Sequence, residues 1–150
     1  MAQTGQRVDP FRNFNFLVEI DGITQAGFMD CSGFGANTDP IEYREGNENP
    51  GGDPKTVRKL PGMTKYNNIT LKWGLTDSTE LYEWYRTISK GTVDRRNGSI
   101  VVLDLEGNEK VRWNFRNGWP TKWDGPDFTS KGNDVSIETL EIAHEGVELA

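Results

Sequence analysis

Hydrophobic and polar residues alternate along several short segments of this chain. Phe14 to Ile20, Asn68 to Gly74 and Val111 to Phe115 each place apolar side chains at every second position. Alternation with a period of two is typical of β-strands that bury one face. We therefore predict a mainly β protein whose strands turn one face to a core and a polar face to water.

Turn residues and extended segments connect these strands. Asp21-Gly22 is a hairpin signal after the first strand, and Ile23 to Cys31 is the next extended segment. Ser32 to Ala36 contains two glycines that permit a sharp corner. Ile100 to Leu105 and the strand that starts at Val111 predict a further hairpin.

The carboxyl-terminal part shows a weaker pattern. Gly118 to Asn133 is rich in turn residues and predicts a loop, and Val135 to His144 predicts a last strand. The apolar spacing slips between Ile137 and Leu140, which we interpret as a β-bulge.

One segment, at about residues 78–90, has the period of an amphipathic helix. Asp77 to Glu80 resembles a capping box, in which Asp77 caps the first turn. Leu81, Trp84, Tyr85 and Ile88 then share one face, and Gly91 ends the helix.

The segment from Ile41 to Pro61 predicts a long extended hairpin arm. Its two ends alternate apolar and charged residues, whereas its centre, from Gly46 to Pro54, contains turn residues and no apolar side chain. Such a tip gains little by lying on its own domain. A long arm with open strand edges is usually covered by a partner, so we expect subunit addition here.

The fold class follows from these elements. We predict two packed, mostly antiparallel sheets that form a sandwich or a partly closed barrel, with the helix covering an open side. A length of 150 residues suits one domain that spans residues 1–150. Several strands carry charges opposite their apolar face, so we expect one sheet to present a broad polar surface.

Composition narrows the function classes. The net charge of −6 argues against general attraction to nucleic acid or anionic membranes. No secretion signal or membrane span is present in the sequence, so we expect synthesis in the cytoplasm. The single cysteine, Cys31, excludes an internal disulfide and is expected to be a small buried hydrophobe.

The survey for catalytic and cofactor sites is mostly negative. His144 is the only histidine, so a catalytic arrangement would depend on it, and a hydrolase is the least favoured alternative. On a strand, Glu141 and His144 point to opposite faces, which argues against a metal site. We expect no enzyme activity, no metal and no cofactor.

The five tryptophans leave one binding function open. Trp73 and Trp113 fall on apolar strand faces and Trp84 falls on the helix stripe, whereas Trp119 and Trp123 fall in the predicted loop. These two define the alternative function, a monomeric carbohydrate-binding β-sandwich module.

Several sequence fragments, in a fixed order and spacing along nearly the whole chain, are together specific. The fragments are Asp9 to Arg12, Cys31 to Phe34, Ile41 to Gly46, Arg58 to Gly62, Asn68 to Lys72, Arg112 to Asn117, Trp119-Pro120, Trp123 to Asp127 and Glu141 to Gly146. With these fragments the chain resembles the tube proteins of contractile phage tails and of phage-tail-like contractile injection systems. Members of the type VI secretion branch are similar in fold.

The resemblance implies a structural protein that closes into hexameric rings. The rings would stack into an inner tube inside a contractile sheath, in a virion or an injection particle that is released extracellularly. The implied partners are other copies of the chain, the sheath protein, the baseplate hub and terminator proteins. Cargo, effector, tape-measure protein or DNA would occupy the lumen.

The resemblance also gives roles to individual residues. We expect the arm to contact adjacent protomers or the next ring, and the polar sheet face to line the lumen. The arm residues are Ile41, Tyr43, Val57 and Leu60 as apolar anchors and Arg44, Arg58 and Lys59 as charged contacts. The lumen candidates are Lys72, Asp104, Arg112 and Arg116.

Overall fold

The computed structural model describes residues 15–23, 27–43, 58–132 and 135–150. Within these ranges the chain forms nine strands and one helix. The elements are β1 (Phe16–Ile20), β2 (Phe28–Ser32), β3 (Ala36–Tyr43), β4 (Arg58–Tyr66), β5 (Ile69–Gly74), α1 (Glu80–Ser89), β6 (Arg96–Leu103), β7 (Glu109–Asp124), β8 (Ile137–Ala143) and β9 (Gly146–Leu149).

Seven strands form one antiparallel array in the order β1-β6-β7-β8-β5-β2, and β9 also pairs with β7. Strand β7 is 16 residues long and belongs to two sheets. Its first part pairs with β6 and β9, and its last part, from Trp119, pairs with β8. We call β1, β6, β9 and the first part of β7 the front sheet, and β2, β5, β8 and the last part of β7 the back sheet.

Both sheets enclose the same core. Val18, Ile100 and Phe115 come from the front sheet, whereas Leu71 and Leu140 come from the back sheet, and all are buried in one cluster. This arrangement confirms the predicted sandwich. Strands β1 and β2 end the array without pairing to each other, so the sheets do not close into a barrel.

Helix α1 closes one side of the sandwich, as predicted. Leu81 and Trp84 are each 2% exposed in the core, and the Trp84 indole N–H donates to the Asp94 carbonyl at 2.7 Å. The predicted Asp77 cap is wrong, because Thr79 holds the N-cap position and makes no side-chain capping hydrogen bond. Gly91 follows the helix with a φ of +89°, a left-handed conformation that suits glycine.

The turn predicted at Asp21-Gly22 is confirmed, and an antiparallel bridge joins Ile20 and Ile23 across it. Gly22 has a φ of +75°, and the Ile23 N–H donates to the Ile20 carbonyl at 3.0 Å. Strand β1 nevertheless pairs with β6, and β2 pairs with β5. Phe14, the predicted start of the first strand, lies outside the described residues.

The carboxyl-terminal part differs most from the sequence prediction. The expected loop from Gly118 is wrong as far as Asp124, because β7 continues there. Pro120 is tolerated in this strand because it pairs with β8 at the edge of the back sheet, where a missing N–H breaks no second ladder. Strand β9 was not predicted.

The expected bulge between Ile137 and Leu140 is also wrong. The register of β8 with β5 is continuous, and the irregularity lies in β7 between Pro120 and Lys122. The apolar spacing slips for another reason: Ile137 is 39% exposed, whereas Glu138 is 8% exposed on the core side.

Candidate assembly surface

Strands β3 and β4 form a separate two-stranded sheet, which we call the arm. They pair only with each other among the described strands, with Ile41 opposite Leu60 and Tyr43 opposite Arg58. Every residue of β3 is exposed to solvent. The predicted hairpin is thus confirmed where it is described, and it projects from the sandwich.

The arm has two chemically different faces. Ile41, Tyr43 and Leu60 share one face and are 54%, 44% and 46% exposed. A Cβ added at Gly62 would lie 3.2 Å from Ile41 Cγ1, so Gly62 leaves room for Ile41 on this side. We call these three exposed side chains the apolar face of the arm.

The opposite face of the arm is charged. Glu42 and Lys59 are directly opposite each other in the register, one position away from the apolar pair. Since successive side chains of a strand point to opposite sides, they face away from Ile41 and Leu60. Arg58 pairs with Tyr43 and therefore belongs to the side of the apolar face.

Two predicted arm residues, Arg44 and Val57, lie outside the described residues. The arm is also longer than the predicted Ile41 to Pro61, because its strands begin at Ala36 and end at Tyr66. Sequence reasoning therefore missed Met63, which is 78% exposed. Pro61 was the available signal. Because edge strands tolerate proline, the strand can continue past Pro61 and include Met63.

The base of the arm is fixed to the sandwich by hydrogen bonds. The Asn67 N–H donates to the Gly35 carbonyl at 2.9 Å and joins the two strands at the base of the arm, whereas the Asn68 amide donates to Glu141 Oε1 of β8 at 2.7 Å and ties this base to the sandwich. Gly33 has a φ of +85°, and an added Cβ there would lie 2.7 Å from the Asn68 carbonyl oxygen. The predicted corner therefore lies between β2 and β3, and it sets the direction of the arm.

His144 supports the same base. Its Nε2 lies 2.8 Å from the Asn67 carbonyl oxygen, which can only accept, so Nε2 donates. The ring also packs near Tyr66 and Phe115, at centroid distances of 5.9 Å and 6.1 Å. In the described ranges, no group of three His, Cys, Asp or Glu residues is placed to hold a metal ion.

The four lumen candidates fall on different parts of the sandwich. Arg112 and Arg116 lie on the front sheet, Lys72 lies on the back sheet, and Asp104 lies in the turn between β6 and β7. Because the two sheets share one core, their outer faces point away from each other. The structure does not bring these residues together, and their role in a lumen stays a prediction.

The outer face of the front sheet is polar and internally paired. Arg112 Nη1 donates to Glu19 Oε2 at 2.9 Å, and Arg112 Nε donates to Glu109 Oε1 at 2.9 Å. Hydrogen bonds to Glu109 and then Glu19 raise the pKa of Arg112 above its usual value. Arg116 Nη1 donates to Glu148 Oε1 at 3.0 Å.

The outer face of the back sheet is also polar. In the register, Lys72 of β5 lies between Asp30 of β2 and Thr139 of β8. Two residues earlier on β5, Thr70 lies beside Glu141 of β8. Lys72 is exposed, whereas its strand neighbours Leu71 and Trp73 are buried. The expectation of a single polar sheet face is therefore too narrow, since both sheets present one.

Asp104 stabilises the turn between β6 and β7. Its carboxylate accepts hydrogen bonds from the Asn108 N–H at 2.8 Å and the Glu106 N–H at 2.9 Å. These bonds, that from Asn108 first, lower the pKa of Asp104 below its usual value. The side chain is therefore committed to a local turn.

Trp119 and Trp123 do not form the predicted loop platform. Both lie in β7, where Trp119 pairs with Ala143 and Trp123 pairs with Leu140. The β-bulge between them puts Trp123 on the core side, and its ring lies 4.8 Å from that of Tyr82. Two indole rings on opposite faces of a sheet cannot stack on one sugar, so the observation behind the carbohydrate-binding alternative is lost.

Cys31 is half-buried and packs against the core, close to the expected position for a small hydrophobe. Burial, and then the negative charge of Asp30, raise its pKa to about 12. The thiol is therefore almost fully protonated at neutral pH. Among the described helices, none has the length and apolar character needed to cross a membrane.

Comparisons with known proteins agree with the fold. A sequence comparison with curated proteins found no match. A chain in the PVC sheath/tube terminator structure in the extended state is 28% identical, with a TM-score of 0.82 over 95% of this chain and 98% of that one. A chain in the PVC sheath-tube complex is 27% identical, with a TM-score of 0.80 over 94% and 91% of the two chains.

More distant structures share the same architecture. Hcp1 from Flavobacterium johnsoniae is 16% identical, with a TM-score of 0.59 over 89% of this chain and 94% of that one, which indicates a common fold. The family model described as T4-like virus tail tube protein gp19 matches residues 12–148. The match confirms the resemblance in the sequence motifs, and the chain belongs to the family of T4-like virus tail tube proteins.

Proposed function

We propose that this chain is the structural protomer of the inner tube of a contractile injection system or phage tail. Six copies form a ring, rings stack into a hollow conduit, and sheath contraction propels the tube while cargo or DNA passes through the lumen. The tube requires no catalytic turnover. The observation that carries this proposal is the solvent-exposed arm, in a chain that belongs to the tail tube family.

The arm needs a partner for physical reasons. An isolated two-stranded hairpin is at best marginally stable in water, and this one exposes Ile41, Tyr43 and Leu60 on a single face. Long strands with open edges aggregate unless a defined neighbour covers them. Identical copies supply that neighbour in a fixed ratio, which favours self-assembly.

The open ends of the strand array support ring closure. Strands β1 and β2 each pair on one side only with another named strand of the array. A strand from the next protomer extends a sheet through such an edge, and a sheet extended around a ring becomes a closed barrel. A head-to-tail contact of this kind closes a ring, and a second one stacks rings without a built-in limit.

The channel wall follows from the opposed sheet faces. One outer face of the sandwich lines the lumen, so either Lys72 of the back sheet or Arg112 and Arg116 of the front sheet are lumen residues. Asp104, in the turn between β6 and β7, lies at the end of the front sheet. Charge reversal at Lys72 and, separately, at Arg116 distinguishes the two walls. The substitution that alters the retention of charged cargo lies on the wall that lines the lumen.

The proposed partners follow from the solved relatives. Their structures comprise a sheath-tube complex, a sheath/tube terminator, a baseplate and a cap. We assign this chain equivalent contacts with a sheath protein, a baseplate hub and a terminator. The protein is made in the cytoplasm and assembled into a phage tail or an extracellular tail-like particle.

A deletion in the arm tests the proposal. Removing Asn47 to Lys55 shortens the arm tip, and the variant should keep the thermal unfolding midpoint of the parent while losing sedimentable tubes. A control variant replaces the same segment by a glycine-serine linker of equal length, which separates the effect of sequence from that of length. Tubes of normal length from the deletion variant would refute the role of the arm.

A further inference from the structure

An apolar groove opens at the end of the sandwich where β1 and β2 do not pair with each other. It encloses about 510 Å³, and its side chains come mainly from the core-facing rows of both sheets. No side chain of the described residues fills it. The principal lining residues are Phe16, Cys31, Phe34, Ile100, Val102 and Trp113.

The walls of the groove are aromatic and only partly covered. The Phe34 and Trp113 rings lie 5.7 Å apart across the two sheets. Phe16, Phe34 and Trp113 are each half-buried, although they belong to the core side. Aromatic side chains bury the largest areas in cores and interfaces, and apolar clefts mark interaction sites in soluble proteins. The groove is therefore a receptor for further apolar side chains.

The described chain begins at the mouth of this groove. Asn15 and Phe16 both line it, so the covalent link to residues 1–14 lies there. The Leu103 N–H donates to the Asn15 carbonyl at 2.9 Å, and the Asn15 side-chain amide donates to the Asp104 carbonyl at 3.2 Å. These bonds fix Asn15 against the end of β6. The preceding segment is thus tethered beside the groove.

The preceding sequence supplies apolar side chains within reach. Phe14 is adjacent to Asn15 and Phe11 is four residues before it, and both lie outside the described residues. Four extended residues span at most about 14 Å, which keeps both phenylalanines near the mouth of the groove. A short tether also gives a segment an effective concentration on the order of millimolar, so it outcompetes a more dilute free partner of equal affinity.

We propose that the segment from Phe11 to Phe14 seats in the groove of its own chain, with the two phenylalanines as its anchors. Side chains alternate along a strand, so continuing β1 by two residues before Phe16 puts Phe14 on the side of Val18 and Ile20, which is the side of the groove. The segment then closes the open end of the sandwich. The contact is intramolecular and does not depend on the proposed tube function.

Labelling of Cys31 tests the cover, because this residue lines the groove and is the only cysteine of the chain. The full chain reacts with a maleimide at one fixed pH, at concentrations where gel filtration shows a monomer, and mass spectrometry follows the reaction. The parent should label slowly. Phe11→Ala combined with Phe14→Ala should label severalfold faster, since the groove is then open. Equal rates for the two proteins would overturn the proposal.

The matched control replaces the two residues between the anchors. Arg12→Ala combined with Asn13→Ala changes the same segment but keeps both phenylalanines, so the labelling rate should stay at the parent value. Because loss of Phe14 can weaken the fold itself, Phe11→Ala alone is the milder variant, and it should still label faster at an unchanged urea midpoint. A control that labels as fast as the double phenylalanine variant would overturn the proposal.

Dilution distinguishes the segment of the same chain from that of a second copy. Intramolecular cover does not depend on protein concentration, so the labelling rate of the parent should stay constant across a dilution series. A rate that rises on dilution would assign the cover to a second copy and overturn the proposal. Since monomers are labelled, that result leaves the proposed function standing, whereas a chain that never forms rings or tubes fails the proposed function alone.

Discussion

The sandwich and the arm use the same residue types in opposite ways. Leu71 and Ile69 in the sandwich are fully buried, whereas Leu60 and Ile41 in the arm are 46% and 54% exposed. Burying an aliphatic side chain stabilises a fold by about 1.5–3 kcal/mol, and the arm forgoes that contribution within its own chain. The comparison teaches that the sandwich is stabilised from within, whereas under the proposed function a neighbouring copy stabilises the arm.

The largest expected effect on folding comes from the sandwich core. Trp73 is 1% exposed and Leu71 is fully buried, so Trp73→Ala and Leu71→Ala should each lower the free energy of unfolding by about 3–5 kcal/mol. Urea titration followed by circular dichroism measures the change. Leu60→Ala is the matched control in the arm, and an equal loss there would erase the distinction between the two regions.

A glycine in the front sheet gives the next largest effect. A Cβ at Gly98 would lie 2.6 Å from the Glu19 carbonyl oxygen, so Gly98→Ala should cost about 1–3 kcal/mol through overpacking. Gly74→Ala is the control, because its Cβ would meet Val135 at an ordinary 3.4 Å. Equal thermal midpoints for both variants would contradict the described packing of β6 against β1.

The arm should show the reverse behaviour. Ile41→Asp combined with Leu60→Asp changes two exposed side chains, so the free energy of unfolding should shift by no more than about 0.5 kcal/mol per site. Assembly should nevertheless be lost, since the apolar face then carries two negative charges. Glu42→Lys on the opposite face of the arm is the specificity control, and sedimentation compares it with the double Asp variant. Unchanged tubes from the double Asp variant would contradict the role of the apolar face.

The smallest expected effect is a pH dependence that arises in the sandwich. The folded-state pKa of Asp104 lies below its usual value of 3.8, so its contribution to stability is present above that pH and is lost as the pH falls through the lowered pKa. Asp104→Asn removes this contribution. Thermal midpoints measured from pH 6 to pH 2 should therefore fall less steeply in the variant than in the parent, and parallel curves would contradict the role given to the Asp104 hydrogen bonds.

The sequence predicted the sandwich best where local pattern and burial agree. Ile69, Leu71 and Trp73 alternate and are buried, and Leu81 and Trp84 share the buried helix face as expected. The predictions failed where partners distant in sequence decide the structure. Asp21-Gly22 forms a turn, but the pairing of β1 with β6 is set by core packing and not by that turn.

The carboxyl-terminal errors have the same origin. The sequence predicts a loop at Trp119 and Pro120 because the glycine and proline residues in this segment are typical of turns, yet pairing with β8 holds both residues in a strand. Glu138 occupies a core-side position that no periodicity rule assigns to a carboxylate. The contact between Phe34 and Trp113 could not be predicted either, because Phe34 lies in the corner after β2 and its proximity to β7 depends on sheet order.

Negative-stain electron microscopy of the purified full chain, over a range of concentrations, tests the central claim most directly. The account predicts annular rings and stacked tubes for the parent, and only single protomers for the Ile41→Asp, Leu60→Asp variant at the same concentration. A parent protein that remains monomeric at every concentration, or tubes that form equally well without the apolar face of the arm, would contradict it.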